Sequence, residues 1–173
     1  MTYDRITIWL HWLTAGLVAV IWGLAQIIDL WPRGSGGQVA MRSLHVALGL
    51  VLVLVVVVLA RLVWRHTGGR TLLPSETGWL GRAARVTHWL LYGLLAMALI
   101  AGIANTWVRG DSFFGLFKLV SFAPGNKTIR GLIGELHEVP TNLILIVAGV
   151  HAAAALFHHF VKRDGVLRRM LPG

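Results

Sequence analysis

His137-Glu-Val-Pro-Thr-Asn-Leu-Ile-Leu-Ile-Val-Ala-Gly-Val-His151-Ala-Ala-Ala-Ala-Leu-Phe-His158-His159 is the last long apolar run of the chain, and its reading decides the fold. On an α-helix advancing 100° per residue, positions 137, 151 and 158 fall within about 60° of one another, so three imidazoles form one stripe. The first two are separated by about 21 Å along the axis. That is a large part of a bilayer's hydrocarbon core of about 30 Å, so one imidazole sits toward each face.

The rest of the 173-residue chain supports a membrane setting. It is 56% hydrophobic and 13% charged, too apolar for a soluble domain. Four segments, residues 6–30, 44–64, 86–107 and 132–161, are long enough to cross a bilayer as helices. The expectation is an all-α integral membrane protein. It is a single domain over 1–173, built as an up-down-up-down four-helix bundle.

The net charge of +9 does not point to nucleic acid, because the basic residues cluster beside the apolar segments. Ten of the sixteen Lys and Arg flank Arg5, the Arg61 to Arg85 region and Lys162 to Arg169; the other six belong to the two opposite loops. The positive-inside rule then places both termini and the middle loop in the cytoplasm. Met-Thr-Tyr-Asp-Arg leads straight into an apolar run too long for a signal peptide, which is expected to be an uncleaved first span. Without cysteine, thiolate metal sites and covalent haem attachment through Cys-x-x-Cys-His are excluded.

Helix 1 is expected to start near Asp4 or Thr7 and carries His11 between Trp9 and Trp12, beside the small residues Ala15 and Gly16. The tryptophans read as an interfacial anchor, whereas an ionisable side chain inside a span is costly and points to function. Helix 2 opens with Met41-Arg-Ser-Leu-His45 and has Gly49 one turn on. Arg61 and Arg65 close it, where they can snorkel, and His66 reads as a loop residue. Helix 3 begins around Arg82 to Arg85 and presents His88-Trp-Leu, an echo of His11-Trp-Leu at similar depth. The loop from Val108 to Arg130 combines Arg109, Lys118, Lys127 and Arg130 with Phe113, Phe114, Phe117 and Phe122, a basic surface able to steer a small anion. Helix 4 begins near Thr128 or later. Pro140 is expected to interrupt its hydrogen bonding just beyond His137.

Depth pairs the histidines. His45 and His137 begin helices that run the same way, near the outer face; His151 lies on the inner side at the depth of His11, and of His88. Zinc prefers a tetrahedral set with further nitrogen, sulfur or carboxylate ligands, and intramembrane carboxylates are nearly lacking. Two facing imidazoles with apolar walls suit the axial positions of a haem iron. Buried histidines serving packing or proton transfer are the alternative.

The arrangement of four spans with His11-Trp-Leu, His45-x-x-x-Gly49, His151-Ala-Ala-Ala-Ala-Leu-x-His158-His159 and the tail Leu167-Arg-Arg-Met-x-Pro172 resembles the bacterial cytochrome b561 family over nearly the whole chain. It looks most like the branch of membrane di-haem superoxide oxidases. Pro140 departs from that pattern. The resemblance implies two non-covalent haems b in the bacterial inner membrane. His11 and His151 would be the axial ligands of the cytoplasmic-side haem, which decides for His11 over His88, and His45 and His137 those of the periplasmic-side haem.

It further implies electron transfer between superoxide and ubiquinone, and the basic outer residues Arg109, Lys118, Lys127 and Arg130 are then expected to steer superoxide toward the outer haem. His158, about 10 Å beyond His151, is the first candidate for a quinone contact and His88 the second. The rival readings are a cytochrome b subunit serving a periplasmic dehydrogenase or hydrogenase, and a haem-carrying membrane protein without turnover.

Overall fold

The computed structural model describes residues 2–50, 54–73, 76–113, 117–118 and 120–171. Phe114 and Pro172 lie outside the described residues, as do the side chains of Phe113, Phe117 and Lys118.

Five α-helices account for most of the described chain: α1 (Arg5–Ile28), α2 (Gly36–Leu50), α3 (Leu54–Thr67), α4 (Gly78–Arg109) and α5 (Lys127–Phe157). A π-helical turn (His158–Lys162) and a 3-10 turn (Leu167–Met170) follow α5. Between α4 and α5, Ser112–Phe113 and Phe117–Lys118 pair as a two-residue antiparallel ladder, in a loop expected to be an amphipathic or solvated segment.

α1, α4 and α5 are long and apolar enough to cross a membrane. The expected second span falls on α2 and α3, of 15 and 14 residues, with 51–53 outside the described residues. Outward apolar side chains remain exposed, Ile100 at 68% and Val150 at 63%, as a lipid-facing surface requires. The small core is Leu94, Ala98 and Ile144, packed against Val18, Leu95 and Val147, where α1, α4 and α5 meet.

Local signals explain the helix ends. Asp4 caps α1, one carboxylate oxygen accepting from the Thr7 amide at 2.9 Å. α2 starts at Gly36, five residues before the expected Met41; the Ser35 hydroxyl oxygen accepts from the Gln38 amide at 3.3 Å. α4 starts at Gly78, ahead of the expected Arg82, and stops at Gly110, whose φ of 66° ends the helix in the left-handed conformation. Arg109 is therefore the last residue of a helix and not part of a loop, and His66 lies in the last turn of α3. α5 begins at Lys127 under an Asn126 cap and continues through Pro140, which is buried inside it.

Contacts far apart in sequence gather the elements at two ends. At one, the Tyr3 amide donates to the Arg169 carbonyl at 3.1 Å and the Trp12 indole to the Met170 carbonyl at 2.7 Å. The Arg169 guanidinium reaches the Leu73 carbonyl at 2.9 Å, and Asp4 accepts from the Trp64 indole at 2.9 Å and the Arg70 amide at 3.0 Å. Burial opposes the charge on Asp4, but hydrogen bonds from Thr7, Arg70 and Trp64 outweigh it and hold the carboxyl well below its ordinary range. At the other end, Arg42 lies 3.9 Å from Asp111, and the Trp107 indole donates to the Val120 carbonyl at 3.1 Å.

Candidate functional site

Two groups of imidazoles lie between the helices, His11, His45, His137 and His151 half-buried and His88 exposed. His45 of α2 and His137 of α5 face each other with ring centres 6.2 Å apart and planes crossed at 85°. The Nδ1 atom of His45 lies 2.9 Å from the Ile21 carbonyl of α1, and that of His137 lies 2.9 Å from the Ala98 carbonyl of α4. A carbonyl accepts only, so each Nδ1 carries the proton and each Nε2 keeps its lone pair. Four helical segments thus converge on one pair of nitrogens, each ring locked by a backbone group.

Gly102 makes this possible. A Cβ there would stand 3.1 Å from His137 Cε1 and 3.3 Å from its Nδ1, so glycine lets the ring lie closer against α4 than a side chain would without a shift. Sequence reasoning passed over this residue. The available signal was a glycine inside an apolar helical run, which costs helix stability and asks for a packing reason.

The second group has three members. His11 of α1 is 6.4 Å from His151 of α5 by ring centres, and His88 of α4 is 5.3 Å from His151. His11 Nδ1 is buried with no hydrogen-bond partner, as is the Tyr92 hydroxyl. A Cβ built on Gly16 meets nothing within 4 Å, and one on Gly49 meets only Ile21 Cγ2 at 3.9 Å, so the small residues beside the histidines leave open space.

His158 stands apart from this trio. Its Nδ1 is bonded to the Asp164 carboxylate and is 3.8 Å from Glu76, whose other close partner is the Lys162 ammonium at 2.5 Å. The π-helical turn and Arg163, at φ 54°, fold the chain back so that Asp164 meets His158. Burial slightly disfavours the Asp164 charge, but hydrogen bonds from His158 and the Val166 amide prevail and hold its carboxyl below the ordinary range. Lys162 already neutralises Glu76, so this cluster is an ion-pair network at the end of α5. His159 packs on Phe160 with ring centres 4.8 Å apart.

The basic residues expected to steer an anion do not converge as a set. Arg109 is half-buried and donates to the Asn105 side-chain oxygen at 2.9 Å, while Lys127 and Arg130 are exposed in the first turn of α5. Arg42, one turn before His45, lines a cleft of about 90 Å³ with Gln38, Ser43 and Asp111. It was missed because one arginine near a span end looks like any other flanking charge.

The class of protein that pairs of imidazoles between membrane helices define is a haem-binding membrane cytochrome. A family model described as prokaryotic cytochrome b561 matches residues 2–173. The chain is 32% identical to cytochrome b561 homolog 1 of Escherichia coli K12, covering 98% of this chain and 97% of that one. It is 29% identical to the probable superoxide oxidase CybB of Yersinia pestis (98% and 96%) and 28% identical to cytochrome b562 of Cereibacter sphaeroides (98% and 94%). The chain belongs to the prokaryotic cytochrome b561 family. It is a multi-pass electron-transfer protein of the inner membrane, of the kind that uses b-type haem.

The residues present fit that group. Two metal–nitrogen bonds of about 2 Å in line, with about 1.1 Å from each nitrogen to its ring centre, separate two axial imidazoles by about 6 Å. The His45–His137 and His11–His151 pairs match this spacing, and His88–His151 is closer than it allows. The Nδ1 of His11, buried and without a partner among the described residues, is a polar atom open to a further group, since buried polar atoms are otherwise paired.

Proposed function

We propose that the chain is one domain over residues 1–173, a four-helix up-down-up-down bundle with both termini in the cytoplasm, holding two haems b. The gathering of Tyr3, the α3–α4 connection and Arg169 at one end, and of Arg42, Asp111 and Val120 at the other, supports this topology. α2 and α3 together make the second passage. In this reading His45 and His137 are the axial ligands at the periplasmic end, and His11 and His151 those at the cytoplasmic end. The observation that carries it is the pair of imidazole spacings, 6.2 and 6.4 Å, at two separate depths.

When bound, the haems supply reversible one-electron chemistry. The reaction we propose is superoxide:ubiquinone oxidoreduction: two superoxide anions leave as oxygen, and one ubiquinone takes two electrons and two protons to become ubiquinol. The likeness to a probable superoxide oxidase supports the donor, and the basic outer end supports its recognition. Arg42 and Arg109 attract the small anion toward the His45–His137 end. Lys118, Lys127 and Arg130 act at longer range. At the other end His158, held by Asp164, is the group that hands a proton to the quinone, with His88 beside His151 as a second contact.

The test is stopped-flow spectroscopy of the purified protein. Superoxide should reduce the haems faster than a neutral donor of equal driving force, with a rate that falls as salt rises. Ubiquinone should then reoxidise them. Equal rates for the neutral donor would remove superoxide as the substrate, and reduction only by an added dehydrogenase would favour the partner-subunit reading.

A further inference from the structure

Arg61 does not behave as a snorkelling residue. It lies on α3 six residues before the helix ends at Thr67, about 9 Å short of that end. Its guanidinium carbon lies 5.7 Å from the centre of the Tyr92 ring on α4, and the residue is half-buried. Arg65, one turn on, is exposed, as the snorkelling reading expects.

A half-buried guanidinium inside a membrane span is stabilised by an anion beside it. Among the described residues no carboxylate lies within ion-pair distance of Arg61. The Tyr92 hydroxyl, four residues from His88, is buried and unpartnered. The Arg61 guanidinium lies against the Tyr92 ring, one turn along α4 from His88, whose ring centre is 5.3 Å from that of His151, so the cation and the hydroxyl border the inner imidazole cluster. A guanidinium fork and a phenolic O–H are the donor set that a carboxylate or phosphate oxyanion accepts from.

We propose that Arg61 and Tyr92 are the oxyanion-binding half of the inner site and hold a propionate carboxylate of the cofactor bound by His11 and His151. The inference rests on the two-haem reading above. A phospholipid phosphate at the same membrane face has the same chemistry, and the propionate band separates the two sources.

The experiment is an optical redox titration, with resonance Raman of the propionate bending mode, on holoprotein in lipid nanodiscs. Wild type, Arg61→Gln, Arg61→Lys and Tyr92→Phe are compared in phosphatidylcholine alone and with phosphatidylglycerol added. Losing the guanidinium charge favours the oxidised, more positive state. Arg61→Gln should therefore shift one of the two reduction equilibria at least tenfold, 59 mV downward for one electron, in both lipids. The other should stay fixed.

Tyr92→Phe should move the same centre less, Arg61→Lys should fall between, and the propionate band should change in that centre alone. Should Arg61→Gln lose the inner haem, Arg61→Lys and Tyr92→Phe carry the same comparison. Unchanged potentials in all variants, or a potential shift with the propionate band unchanged, would overturn the assignment. A wild-type chain lacking two haems overturns the proposed function itself, whereas two haems indifferent to Arg61 and Tyr92 overturn only this inference.

Discussion

The outer imidazole pair and the inner imidazole cluster are built from the same residue type and held in different ways. At the outer end His45 and His137 each have one ring nitrogen 2.9 Å from a backbone carbonyl of a neighbouring helix, and Gly102 gives His137 its place. At the inner end His11 keeps a buried nitrogen without a partner, the Tyr92 hydroxyl has none, and three rings crowd together. One site is positioned by the fold before any ligand arrives. The other holds polar groups that the fold leaves for a ligand to satisfy, at a cost of about 1–3 kcal/mol for each buried group left unpaired.

That contrast yields predictions in descending size. Replacing a proposed haem ligand should have the largest effect: His45→Ala or His137→Ala should leave one haem per chain by pyridine haemochrome, and His11→Ala or His151→Ala should remove the other. Retention of both haems in any of the four would break the pairing. Gly102→Ala comes next, because its Cβ would stand 3.1 Å from the His137 ring and push it by a few tenths of an ångström. The outer haem should be lost or weakened while the inner spectrum is unchanged; equal perturbation of both would show that the sites are not separately built.

Smaller effects belong to the end where Tyr3 meets Arg169. His158→Ala should keep both haems and slow quinone reduction, with Asp164→Asn slowing it less; normal quinone kinetics in both would remove their role. Asp4→Ala should cost about 1 kcal/mol of stability through the lost cap, measured by thermal unfolding. Because the folded state depresses the Asp4 carboxyl, its contribution is fully present above the ordinary carboxylate range and fades as pH falls below it. An Asp4→Asn chain should therefore lose less stability than wild type on acidification below about pH 4.

Local chemistry made part of this legible in the sequence. Apolar length gave the spans that became α1, α4 and α5, and the 3.6-residue period put His137 and His151 on one stripe. The histidines nominated as partners by depth do face each other. What was not legible depends on which helix lies beside which. Gly102 matters only because His137 of another helix rests on it, and Arg61 differs from Arg65 only because Tyr92 stands beside it. The pairing of Tyr3 with Arg169 likewise joins residues at opposite ends of the chain. α5 starts upstream at Lys127, so Pro140, expected to interrupt hydrogen bonding in that case, lies inside the helix.

The most direct test of the central claim is the haem-to-protein ratio of the purified chain, read together with near-infrared magnetic circular dichroism, which reports the axial ligands. Two haems per chain, both with bis-imidazole ligation, is the predicted result. A single haem, or a second ligand other than histidine at either centre, would contradict it.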